Sequence, residues 1–179
     1  GELLQIEKAR RLDITEEVYF EIIQRKTASL IAACCAAGAA SAGADPDRVE
    51  LMRSFGEEMG IAFQIKDDLL DFAPSTVTGK PSGGDVKERK MTLPLIHTLQ
   101  SLSTLQRRSM VRGIKRSKDN PNEAQRIMEH ILEGPGMAYA ESKMKFHRDR
   151  AVALLEPLKD GGAKTALIEL VDFTISRKK

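Results

Sequence analysis

Residues 60–72, GIAFQIKDDLLDF, place three carboxylates in a stretch that otherwise has the pattern of a packed helix. Ile61, Ile65, Leu69 and Phe72 recur at helical spacing and define an apolar stripe, while Gln64, Asp67 or Asp68, and Asp71 lie at three- and four-residue steps on another face. Such a helix is packed on one side and acidic on the other. Carboxylates crowded within about one turn repel each other, and burial without partners is costly or pushes their pKa values upward. A hard divalent cation removes that penalty: Mg²⁺ prefers a few carboxylate oxygens, several waters and the oxygens of a phosphate ligand. A solvated acidic face is the plainer reading of an arbitrary D-D-x-x-D string, but the apolar surroundings and the preceding Phe63-Gln64 favour metal here. The alternating acidic positions and central Gly of an EF-hand loop are missing.

The rest of the chain has helical character almost throughout. It has no convincing run of alternating β-branched residues and only 4% aromatic residues, so the expected fold class is all-α. A first short helix is expected over about 2–11. Thr15 reads as an N-cap with Glu16 and Glu17 in the first turn of a second helix running to about 42. Asp45-Pro46-Asp47 opens the next helix, which continues to about Phe72. Residues 73–91 hold three Gly and two Pro and read as a loop within one domain, because helical patterning resumes at Thr92-Leu93-Pro94. Further helices are expected over 93–102, 104–117, 121–133, 136–156 and 162–178, with breaks at Pro121, Gly134-Pro135-Gly136 and Asp160-Gly161-Gly162.

The 179 residues, 41% hydrophobic and 30% charged, have the size and balance of one soluble globular domain. Lys and Arg (28) nearly cancel Asp and Glu (26), so no global field marks a nucleic-acid or membrane-surface binder. Arg107, Arg108, Arg112, Lys115, Arg116 and Lys118 read as the solvated side of a late helix. Cys34 and Cys35 are adjacent in an alanine-rich run, which suits neither a disulfide framework nor a zinc site of about four spaced ligands. They are expected to be reduced, small core residues of a cytoplasmic protein. That run, 28–44, has only Leu30 and Ile31 as large aliphatics and is shorter than the roughly 20 apolar residues of a membrane span. The sequence opens at Gly1 with neither Met nor a signal-peptide pattern, and reads as a piece of something longer.

Basic residues flank the acidic helix in sequence. Lys26-Thr27 precedes small residues that would let helices approach closely; Lys26 reads equally as a phosphate ligand or as a snorkelling surface lysine. The loop carrying Lys80, Lys87, Arg89 and Lys90 is either a lid over an anion or a mobile surface loop, and it lacks the Walker order of a P-loop. His97, His130 and His147 show no metal-ligand spacing or nucleophile partner and read as structural. No Ser-His-Asp or Cys-His arrangement stands out.

Together these segments resemble the trans-isoprenyl (polyprenyl) diphosphate synthase family. The matching strings occur in family order: Gly1-Glu-Leu-Leu-Gln5, Tyr19 with Lys26-Thr27-Ala28, Phe63-Gln-Ile-Lys-Asp-Asp-Leu-Leu-Asp71, and Gly79-Lys80 with Asp85 and Lys90-Met-Thr-Leu-Pro94. The resemblance is sharp up to Pro94 and only helical in character beyond it. It implies the C-terminal helices of a terpenoid-synthase-like bundle, carrying the second aspartate-rich motif of a single polyprenyl synthetase domain.

The implied reaction condenses an allylic diphosphate with isopentenyl diphosphate and releases pyrophosphate. The resemblance assigns Asp67 and Asp71 to magnesium with Asp68 supporting the cluster. It gives the allylic diphosphate Lys26, Lys90 and, more weakly, Lys80. Thr27 and Gln64 would turn oxygen dipoles towards a carbocation. A homodimer is implied, as is an upstream half of the same protein with the first aspartate-rich motif, without which the isolated segment is expected to be inactive. Product length is not legible. Arg89 stands where many relatives have Gly, a change expected to stiffen the lid loop. Arg177-Lys178-Lys179 reads as a frayed end or as a basic tail closing over substrate. A non-catalytic subunit of a heteromeric synthase and a terpene cyclase of the same fold are the alternatives.

Overall fold

The computed structural model describes residues 12, 14–74, 76 and 83–178. Among these residues nine α-helices occur and no strand: α1 (Glu16–Ile23), α2 (Ser29–Ser41), α3 (Pro46–Leu70), α4 (Gly84–Lys87), α5 (Leu93–Ser101), α6 (Thr104–Arg116), α7 (Pro121–Glu133), α8 (Gly136–Leu154) and α9 (Gly162–Ser176). The expected all-α class holds, and the later boundaries agree with the sequence signals to within two residues. The helix expected over 2–11 lies outside the described residues, as does part of the loop between α3 and α4.

Local chemistry explains the boundaries. Before α3, an Asp45 carboxylate oxygen accepts from the Arg48 amide at 2.9 Å, and Pro46 needs no amide partner at the first helical position. A reciprocal capping box joins Ser103 and Gln106 at the start of α6, and Asn120 caps α7 ahead of Pro121. Two departures appear. The single helix expected from 15 to 42 is interrupted by a π-helical turn, Gln24–Ala28, which holds Lys26 and Thr27. The loop expected over 73–91 contains the short helix α4, entered through Gly83 at φ +77°.

The chain divides into two compact units. One comprises Glu21–Lys66 and Ser142–Arg177. Its core is built on Phe55, Met59, Ala151, Leu155 and Val171, with Ile31, Met52 and Ile168 among the residues packed around it. Here the alanine-rich helix serves close approach: a Cβ placed on Gly60 would stand 2.6 Å from the Ala28 Cα, and one on Gly56 would stand 2.8 Å from the Ala32 Cα. Only Ala32 and Ala36 of α2 are buried, so the small residues matter on one face. The expectation that both cysteines lie in the core is corrected for that reason: Cys34 is exposed off the packed face and Cys35 is half-buried, both as free thiols.

The other unit contains residues 14–20 and Asp67–Glu141. Helices α5, α6 and α7 pack on one another and α4 rests on α7. Leu93, Leu95, Ile96, Ile114, Ile127 and Ile131 are almost wholly buried there. The six basic residues from Arg107 to Lys118 are exposed, as the charge pattern predicts. No described helix is long and apolar enough to cross a membrane.

The glycine contacts give a direct test. Gly60→Ala should destabilise the protein by about 1–3 kcal/mol through overpacking against Ala28. Gly38→Ala, whose added methyl meets nothing within 4 Å, should stabilise it by roughly 0.5–1 kcal/mol. Urea unfolding of both variants measures the contrast.

Candidate functional site

The last turn of α3 and the residue after it carry Asp67, Asp68 and Asp71, and the apolar stripe predicted for this helix is real: Ile61, Ile65, Leu69 and Phe72 are all buried. The three carboxylates do not share one environment. Asp67 and Asp71 are partly exposed, whereas Asp68 is 0% exposed. One Asp68 oxygen accepts from the Lys90 ammonium at 2.9 Å and the other from the Tyr19 hydroxyl at 2.8 Å. Lys90 also donates to an Asp85 carboxylate oxygen at 2.9 Å. The Asp85 amide in turn donates to the Asp71 carboxylate at 3.1 Å, and the Gly83 amide to the Asp71 carbonyl at 2.9 Å. Gly84 permits this approach, since a Cβ there would sit 3.3 Å from an Asp71 oxygen.

The electrostatics follow from burial. Loss of solvent pushes the Asp68 carboxyl up, and the charge and hydrogen bond of Lys90 pull it back. Burial would lower the Lys90 ammonium, but Asp68 and Asp85 outweigh it and hold the group above its ordinary value. The Tyr19 hydroxyl is raised well above its usual range, first by burial and then by Asp68. Asp71 is raised to about 6 by burial and by the nearby charge of Asp85.

In the other unit, the Thr27 hydroxyl donates to the Gln64 side-chain oxygen at 2.9 Å. The π-helical turn that carries Thr27 also carries Lys26, whose side chain is exposed. Arg177 is not a frayed end: its guanidinium lies over the Phe63 ring, 4.3 Å from the centroid, and its Nε donates to the Thr174 carbonyl at 3.3 Å. The predicted anion ligand Lys80 lies outside the described residues.

Thus Asp68, Asp71 and Lys90 are brought into one network, and Thr27 and Gln64 into a pair. The sequence reading gave no role to Tyr19 or Asp85, the two further members of the network. Their signals were present: a tyrosine in an apolar helix needs a partner for its hydroxyl, and Asp85 stands one short helix before Lys90. Two of the three histidines have partners of their own. His97 stacks on Tyr139 with centroids 3.8 Å apart, and His147 Nδ1 shares a 2.6 Å hydrogen bond with Glu58, which also pairs with Arg150 at 3.0 Å.

This lysine–carboxylate network lies within a stretch, residues 1–131, that matches the family described as Polyprenyl synthetase. The chain belongs to the polyprenyl synthetase family. It is 37% identical over 180 residues to the short chain isoprenyl diphosphate synthase of Methanothermobacter thermautotrophicus, with 99% of this chain and 54% of that protein covered. Against the octaprenyl diphosphate synthase of Escherichia coli the identity is 31%, covering 100% of this chain and 55% of the relative. The chain therefore spans about half the length of the polyprenyl synthetase relatives it matches. Among solved structures, a Caulobacter crescentus polyprenyl synthase complexed with calcium and isoprenyl diphosphate superposes with a TM-score of 0.92 at 35% identity, over 100% of this chain and 55% of that one. The fold is the all-α, terpenoid-synthase-like fold of this family.

Asp71 gives the site a pH signature. Its folded pKa, about 6, lies above the unfolded carboxyl value of about 3.9, so the native state holds its proton more tightly. The stability contributed by this residue is therefore greatest at low pH and declines as pH rises from about 4 through 6. In metal-free protein, Asp71→Asn should remove that decline, and carbonyl NMR should show the Asp71 titration centred near 6.

Proposed function

We propose that the protein to which this chain belongs is a cytoplasmic, homodimeric, Mg²⁺-dependent trans-prenyltransferase, and that the chain is part of a single polyprenyl synthetase domain. It joins an allylic diphosphate to isopentenyl diphosphate in isoprenoid biosynthesis. The observation that carries this reading is Lys90, held between Asp68 and Asp85 beside the D-D-x-x-D turn. An ammonium has three donors. Two serve these carboxylates, and with 26% of the side chain exposed the third is left for an anionic oxygen.

The carboxylates fit magnesium. Among the described residues no three His, Cys, Asp or Glu side chains form a ready cage. Mg²⁺ commonly needs only one or two protein carboxylates, with water and phosphate oxygens completing its shell. Asp67 and Asp71 are partly exposed and would hold it. The rise of the Asp71 pKa reflects burial and repulsion that a bound cation relieves. Asp68, with each oxygen already accepting from Lys90 or Tyr19, supports the cluster from below.

In the proposed reaction the allylic C–O bond breaks and its electron pair leaves with pyrophosphate. The double bond of isopentenyl diphosphate attacks the resulting cation, and a proton passes to the released pyrophosphate. Bound magnesium supplies neutralisation of the charge that develops on the leaving group. Lys90, fixed before reaction by Asp68 and Asp85, adds a positive charge that needs no reorganisation. Lys26 and Lys80 are assigned to the same diphosphate on the strength of the resemblance. The Thr27 hydroxyl, having given its hydrogen to Gln64, presents oxygen lone pairs suited to steadying a cation without capturing it. Exclusion of water is required, because water would trap the cation as an alcohol.

Full-length protein supplied with radiolabelled isopentenyl diphosphate and an allylic diphosphate should form organic-extractable product only with Mg²⁺. Asp67→Ala should lower kcat/KM by about 100-fold or more. Product formation that ignores chelation of Mg²⁺ and survives this substitution would refute the assignment.

A further inference from the structure

Arg89 precedes the network lysine and occupies a backbone conformation that suits glycine better: its φ is +59°. A long side chain in the left-handed region is strained, and such strain persists only where the surroundings over-determine it. The Arg89 guanidinium donates to the Lys115 carbonyl at 2.7 Å, in the last turn of α6. That carbonyl is among the last four of its helix, which lack intrahelical partners and favour a cation. Arg89 Nε is buried without a hydrogen-bond partner, so the side chain is drawn into the fold at a desolvation penalty rather than splayed into water. A second contact runs beside it: the buried Ser117 hydroxyl lies 3.0 Å from the Val86 carbonyl and 2.8 Å from the Ile114 carbonyl, its one hydrogen shared between them.

Both contacts act on the turn that aims Lys90. After α4 the chain reverses: the Arg89 amide donates to the Val86 carbonyl at 3.1 Å and the Lys90 amide to the Asp85 carbonyl at 2.8 Å. The left-handed residue at the apex directs the Lys90 side chain back to Asp68 and Asp85. Glycine there would relieve the strain but give α6 nothing to hold.

We infer that Arg89 is a positioning residue whose grip on the C-terminal end of α6 keeps the α4–α5 connection set with Lys90 facing the diphosphate site. The link to α6 stands on geometry alone; its consequence for ligand binding rests on the proposed role of Lys90.

The test compares Arg89→Gly and Arg89→Asn in the full-length protein, since both residues tolerate positive φ and neither can reach the Lys115 carbonyl. Amide hydrogen exchange at residues 89 and 90 should lose protection by about tenfold or more in both variants, while α8 and α9 amides keep theirs. Calorimetry with inorganic pyrophosphate and Mg²⁺ should show affinity weakened by about tenfold, with the thermal midpoint retained. Unchanged protection in both variants overturns the anchor. Lost protection with unchanged pyrophosphate affinity overturns the positioning role. A wild-type protein that does not bind pyrophosphate refutes the prenyl-transfer reading instead, and the exchange experiment then decides the anchor by itself.

Discussion

A carboxylate wholly removed from water must be neutralised where it stands or take up a proton, and Asp68 is met on both oxygens, by an ammonium and by a phenol. Much of its unit follows from that requirement. Tyr19 must come from α1 and Lys90 from the segment after α4, so two stretches distant in sequence are tied to the end of α3. Lys90 is then shared with Asp85, whose amide reaches Asp71, and Gly83 and Gly84 supply the backbone freedom and the close approach that the turn needs. The same arrangement leaves Asp67 and Asp71 partly exposed while the residue between them is sealed. A helix end so built has a neutralised, buried base beneath a partly exposed carboxylate rim.

The other unit depends on contact distance rather than charge. Gly56 and Gly60 on α3 meet Ala32 and Ala28, and nothing larger than hydrogen fits at either glycine without displacing backbone. This approach runs beside the hydrogen bond between Thr27 and Gln64, in a turn where the helix widens to π geometry. π-turns inside α-helices recur at functional positions because they shift side chains off the regular repeat. Here the shift falls on the Lys26-Thr27 pair that the sequence singles out.

The fold was largely legible because its punctuation is local. Asp45-Pro46, Ser103 with Gln106, and Asn120-Pro121 each fix a helix start through bonds within a few residues, and each boundary fell where those residues predict. What could not be read depends on partners far along the chain. The π-turn has no local signature in Gln24–Ala28. The short helix α4 hides among glycines. The division of labour within D-D-x-x-D is invisible to spacing, because Asp67 and Asp68 differ only in what each faces after folding. The cysteines misled for a related reason: small residues mark a packed helix face, but only Ala32 and Ala36 of α2 lie on it. Arg89, noticed as an unusual residue for its place, gained a physical meaning only once its φ and its contact with Lys115 were known.

The pair between Asp68 and Lys90 holds the site together, and a double-mutant cycle on stability interrogates it directly. With urea unfolding at neutral pH, Lys90→Met alone should cost about 3–5 kcal/mol by leaving a buried carboxylate uncompensated. Adding Asp68→Asn should recover a large part of that loss, giving a coupling energy of at least about 1.5 kcal/mol. Effects that add to within about 0.5 kcal/mol would mean the two side chains do not meet in the folded protein, and the site as described would be wrong.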